Sequence, residues 1–107
     1  MQVDESSPTA NELGRNDVLA ALRDLKSEWR SRGLLSMGVF GSFARNTETE
    51  ESDLDVYVRM ETANPYLLVH LKDAIEGRVH RHVDIVRLRE RMNPDLRSRI
   101  EREGFDV

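Results

Sequence analysis

Two neighbouring stretches decide how this chain folds: Val39-Phe40-Gly41-Ser42-Phe43-Ala44-Arg45 and, ten residues beyond the Gly-Ser pair, Ser52-Asp53-Leu54-Asp55-Val56. Leu34 to Phe40 is short, apolar and bounded by Gly33 and Gly41, which predicts a buried strand running into Gly41-Ser42. A helical turn over Phe43-Ala44-Arg45 would aim backbone N–H groups past the strand end. Glycine there lets a phosphate come close to the main chain. Gly-Ser pairs are also common turns, so this junction is a weak signal by itself.

The second stretch adds charge. Leu54 to Val58 alternates with period two, setting Leu54, Val56 and Val58 on one face and Asp53, Asp55 and Tyr57 on the other. Carboxylates at i and i+2 lie roughly 7 Å apart at their Cα atoms, near enough to converge on one divalent ion. Mg²⁺ accepts one or two protein carboxylates and completes its octahedron with water and substrate phosphates. The plainer alternative is a solvent-facing strand decorated with acids, although two uncompensated like charges on one face are unfavourable. His82 to Arg87 alternates again, with Val83 and Ile85 opposite His82, Asp84 and Val86, so Asp84 projects from a strand. A third carboxylate joining the first pair would make the arrangement of a two-metal site.

Outward from this centre, Val18, Ala21, Leu22, Leu25 and Trp29 recur at helical spacing. Asn16 is placed to cap that helix and Gly33 to end it. Asn64-Pro65 opens a second helix with the stripe Leu67, Leu68, Leu71 and Ile75, closing at Gly77. Asn93-Pro94 opens a third, with Leu96 and Ile100 on one side and Gly104 at its end. The order is helix, strand, strand, helix, strand, helix, with a further strand possible at residues 105–107. This predicts an α/β (α+β) fold: a small mixed sheet backed by helices. Residues 1–15 hold Ser6, Ser7, Pro8, Thr9, Asn11 and Gly14 without an apolar period, which predicts a flexible arm ahead of one domain at 16–107.

A length of 107 residues suits one domain with little core to spare, so a partner or an oligomer is expected. With 16 Lys and Arg against 20 Asp and Glu, the formal net charge of −4 repels a phosphate backbone, and free nucleic acid is a poor partner. The chain has no cysteine, an acidic amino terminus unlike a signal peptide and no apolar run of membrane-spanning length. A cytoplasmic protein with no membrane contact is expected.

Gly-Ser, ten residues, Asp-x-Asp and a third Asp on a later strand together resemble the signature of the polymerase-beta-like nucleotidyltransferase superfamily. Val39 to Arg45 and Ser52 to Val56 look like its minimal nucleotidyltransferases, and the similarity runs from about Leu34 through Leu96-Arg97 and Ile100 to Gly104. The resemblance implies that Gly41 and Ser42 bind the triphosphate of an NTP, ATP first among them. Asp53 and Asp55 would be shared ligands of Mg²⁺ or Mn²⁺, and Asp84, as a third, would help activate the acceptor hydroxyl. Arg45 would neutralise phosphate charge, with an exposed helix arginine as the alternative. One departure is Asn46, where the family has glycine; asparagine tolerates left-handed backbone better than most residues. Another is the acidic loop carrying Glu48, Glu50 and Glu51, which would oppose an anionic substrate if turned inward.

Minimal nucleotidyltransferases of this length are commonly antitoxins paired with a helical HEPN ribonuclease toxin. The resemblance therefore implies AMP transfer from ATP to a hydroxyl, a tyrosine, on such a toxin, within a hetero-oligomer. The alternatives are a non-catalytic antitoxin that masks its toxin by contact, and a nucleotidyltransferase acting on a small molecule such as an aminoglycoside. The last is weakened by the lack of a second domain to hold an acceptor. Arg78, His80, Arg81 and His82 form a basic knot beside Asp84 that reads either as a phosphate or partner contact or as a solvated strand start. No Cys or Glu joins the histidines at ligand spacing, which argues against zinc. Arg87, Arg89 and Arg91 read as a solvated edge, and Trp29 as core.

Overall fold

The computed structural model describes residues 14–49, 51–62 and 64–107. Most of the expected amino-terminal arm and Glu50 of the acidic loop lie outside the described residues. Helix α1 spans Arg15–Trp29 and buries Val18, Leu19, Leu22, Leu25 and Trp29, the predicted stripe with Leu19 added and Ala21 only half-buried. Its cap is Gly14 and not Asn16, so the helix begins at Arg15, one residue ahead of the expected cap. The Asp17 carboxylate accepts the Gly14 N–H at 3.3 Å, so the side chain in the third helical position closes the first turn from inside the helix. A 3₁₀ turn at Arg30–Arg32 follows, and Gly33 ends it in left-handed backbone at φ 100°.

Strand β1, Leu34–Phe40, leads through Gly41 into a single helical turn, α2, Ser42–Arg45. Strand β2, Leu54–Met60, returns antiparallel to β1, with Phe40 opposite Asp55 and Val39 opposite Val56. Helix α3, Pro65–Val79, crosses over to strand β3, Val83–Arg87, which lies parallel to β2. Helix α4, Pro94–Glu103, ends in strand β4, Phe105–Asp106, antiparallel to β1, and the sheet order is β3-β2-β1-β4. The mixed sheet and the final strand are as predicted. Asn64 and Asn93 cap α3 and α4, each side-chain oxygen accepting two backbone N–H groups of its first turn.

Helix α3 does not stop at Gly77. Carrying the helix through the exposed Gly77 costs about 1 kcal/mol relative to alanine, but two further residues let Val79 follow Ile75 into the core, which offsets it. The turn is made instead by His80, left-handed at φ 55°, whose N–H reaches Glu76 O at 2.9 Å.

Both faces of the sheet are covered. Helices α1 and α3 pack on Val39, Leu54, Val56, Val58 and Val83, the main core. Helix α4 covers the other face through Ile100, which clusters with Phe40, Tyr57 and Leu88. The face predicted to carry Asp53, Asp55 and Tyr57 is therefore divided. Tyr57 is buried beneath α4, and Asp55 is left at the open end of the sheet beside Gly41. The Tyr57 hydroxyl donates to Asp106 Oδ1 at 2.5 Å; burial first, and that carboxylate second, push its pKa well above the ordinary phenol value.

Candidate active site

The site forms where β1 ends, β2 begins and β3 begins. Gly41 adopts φ 70°, ψ −146°, a conformation that residues with a Cβ rarely reach, and a Cβ built on it would lie 2.1 Å from Asp55 Oδ2. Two independent constraints thus require glycine: the backbone dihedral and a carboxylate packed against the main chain. Phe43, fully buried, anchors the α2 turn from below. Asn46 closes it in left-handed backbone at φ 60°, so the departure from glycine is absorbed without changing the turn.

The parallel register of β2 and β3 sets Asp55 directly beside Asp84. Asp53 precedes β2 by one residue and is exposed, as is Asp84, whereas Asp55 is half-buried. Burial raises the Asp55 pKa first and Asp84 raises it next; Arg99 opposes them, Asp53 adds to the rise, and Arg45 opposes it again. All three predicted carboxylates therefore lie within one electrostatic neighbourhood. The repulsion among them is what a divalent cation would relieve, so the donor set fits a hard metal ion. Asp53 and Asp84 also have His82 with them: one ligand atom from each of the three falls within 4.8 Å of the others.

Arg45 does not stand free beside the turn. It pairs with Glu103 at 3.1 Å, and the same carboxylate accepts the Gly41 N–H at 3.0 Å and Arg99 Nε at 2.9 Å. Desolvation works to raise the Glu103 pKa, but hydrogen bonds from Arg99, Gly41 and Arg45 together outweigh it and hold the carboxyl below its ordinary value. Glu103 thus anchors the end of α4 to the glycine turn. The sequence offered only a local hint, since Arg99 and Glu103 are four apart on one helix face. Nothing along the chain tied residue 103 to residue 41.

The basic knot is resolved into separate tasks. Arg78 pairs with Glu28 of α1 at 2.8 Å. Arg81 donates to the carbonyls of Thr49 and Ser52, both at 2.8 Å, and lies over the Phe43 ring, holding the acidic loop in place. His82 contacts Glu76 and Asp84. Within the loop, Glu48 turns to Arg15 at 3.4 Å, a partner that offsets its charge, and Glu51 is exposed. Arg15 also donates to the Phe43 carbonyl.

Comparison with known proteins agrees with this fold. The family model described as "Polymerase beta, Nucleotidyltransferase" matches residues 24–106. The protein adenylyltransferase MntA of Thermococcus cleftensis is 36% identical over 77 residues, covering 69% of this chain and 77% of the relative. A solved structure assigned to the minimal nucleotidyltransferases superposes with a TM-score of 0.75 at 34% identity, covering 89% of this chain and 97% of the other. A chain from the complex of tri-AMPylated Shewanella oneidensis HEPN toxin with MNT antitoxin shares the fold, with a TM-score of 0.57 at 22% identity over 86% of this chain and 66% of that one. This chain belongs to the polymerase-beta nucleotidyltransferase family, as one of its minimal members.

Proposed function

We propose that this enzyme transfers AMP from ATP to a hydroxyl, a tyrosine, on a partner HEPN ribonuclease toxin, and so acts as that toxin's antitoxin. The observation that carries the reading is the packing of Asp55 against a glycine turn, with Asp84 beside it in register. That combination sets an acidic centre against a glycine main chain at the strand ends, the layout a triphosphate with its counter-ion needs. The acceptor class is supported by the adenylyltransferase MntA relative, and the toxin by the fold shared with the AMPylated complex.

In this reading Asp53, Asp55 and Asp84 hold Mg²⁺ or Mn²⁺, which supplies charge neutralisation at the phosphates and acidifies the acceptor hydroxyl. Gly41 and Ser42 seat the triphosphate, and Arg45 and Arg99 lie close enough to the carboxylates to balance its charge. Asp84, more than half exposed, is open to an incoming hydroxyl and takes its proton. The acceptor oxygen forms a bond to the α-phosphorus, the bond from that phosphorus to the bridging oxygen breaks, and pyrophosphate leaves.

One observation favours a second reading, a binding antitoxin without turnover: Glu103 already occupies the Gly41 N–H and Arg45. A trace of this protein with ATP, Mg²⁺ and the toxin separates the two. Catalysis adds AMP mass to the toxin, which stays inactive after this protein is removed, and Asp55→Asn fails at any sub-stoichiometric dose. If Asp55→Asn protects as well as wild type at equal molar ratio and no mass is added, the chain masks its toxin by contact.

A further inference from the structure

His82 is more than half exposed and lies beside the acidic centre, with a carboxylate near each of its ring nitrogens. Its Nδ1 lies 3.3 Å from Glu76 Oε2, and its Nε2 lies 3.5 Å from Asp84 Oδ1. Glu76 is itself fixed, because the same Oε2 accepts the Val83 N–H at 2.9 Å. The main chain is fixed too: the His82 carbonyl accepts the Leu54 N–H at 2.9 Å, which sets residue 82 alongside Asp53. The left-handed turn at His80 lets the chain leave α3 and reach that position.

With Nδ1 on the side of Glu76, Nε2 is left on the side of Asp84, and one ligand atom each of His82, Asp84 and Asp53 lie within 4.8 Å of one another. A carboxylate that holds one ring nitrogen so that the other is presented to a metal is the usual support of a histidine ligand. Resting on the metal-dependent reading above, we infer that His82 ligates the divalent ion together with Asp53 and Asp84, through Nε2, and that it makes the site favour Mn²⁺ over Mg²⁺. The selectivity follows from ligand chemistry: imidazole binds transition ions readily, whereas Mg²⁺ keeps to oxygen. Of the two carboxylates that join this histidine, Asp84 lies two residues along the same chain segment, whereas Asp53 comes from the start of the neighbouring strand.

The test uses the full chain with Mn²⁺ alone and reads electron spin-echo modulation, which registers a directly bound ¹⁴N nucleus without any turnover. Wild type should bind Mn²⁺ and show nitrogen modulation; His82→Ala should lose the modulation and bind Mn²⁺ about tenfold more weakly. Mg²⁺ affinity, read by competition, should change by less than about twofold. His80→Asn, which keeps a left-handed former at the turn, should retain the modulation. Mn²⁺ bound in wild type and released by Asp53→Asn, but without nitrogen modulation, would overturn the role of His82 and leave the carboxylate site standing. If wild type binds no Mn²⁺ at all, both the histidine ligand and the metal-dependent reading fall together.

Discussion

Asp55 and Gly41 show how much one contact can carry. Because burial and the neighbouring Asp84 and Asp53 raise the Asp55 pKa, its charge costs stability at neutral pH. The folded pKa lies above the unfolded one, so that cost is relieved as pH falls through the folded value toward 3.8. Asp55→Asn should therefore melt level with or above wild type at neutral pH without metal, with the advantage shrinking in acid, while nucleotide transfer is lost. Thermal melts across pH, read beside a transfer assay, check both parts; near-normal transfer would remove Asp55 from the site. Gly41→Val meets two obstacles, a positive φ and the Asp55 carboxylate. It should weaken ATP binding at least tenfold by titration calorimetry and cost roughly 1–3 kcal/mol in stability. A folded variant with unchanged ATP affinity would return the turn to an ordinary connection.

Among the elements, the four-residue helix α2 depends most on its ends. Phe43 anchors it, and Asn46 closes it at φ 60°, with the Thr47 N–H reaching Ser42 O at 2.9 Å. Asn46→Gly should be neutral or slightly stabilising, since glycine meets no penalty there. Asn46→Val should lose about 1–2 kcal/mol, because a β-branched residue resists left-handed backbone. Urea unfolding of the pair measures the difference; equal midpoints would mean that the turn relaxes to another conformation. A longer helix such as α3 carries the cost of Gly77 because Leu71, Ile75 and Val79 are buried along its length.

Across the whole molecule, α4 joins the second core to the site, because one face buries Ile100 against Phe40, Tyr57 and Leu88 while the helix also carries Arg99 and Glu103. Ile100→Ala should cost about 2–4 kcal/mol by denaturant unfolding. It should also lower ATP affinity, although Ile100 is 3% exposed and is not placed to touch the nucleotide. Full ATP affinity in the destabilised but folded variant would show that the glycine turn holds its shape without α4.

What the sequence determined by itself was local. Apolar periods at 2 and 3.6 marked the strands and helices, Asn-Pro pairs marked two helix starts, and the Gly-Ser and Asp-x-Asp spacing marked a family. Each depends on residues within one or two turns of each other, where propensity and sterics act directly. Helix ends were less legible: Asn16 and Gly77 each look like punctuation, but Asp17 already closed the first turn, and the core wanted Val79. Tertiary structure alone decided that Asp84 lies beside Asp55 and that Tyr57, on the same face as Asp55, is buried beneath α4. It alone brought Glu103 to Gly41 and His82 to Asp53. Those relations depend on strand register and helix docking across as many as 62 residues of chain, and no local pattern encodes a register. The pairing that buries the most apolar surface sets it, and the site residues come together as its consequence.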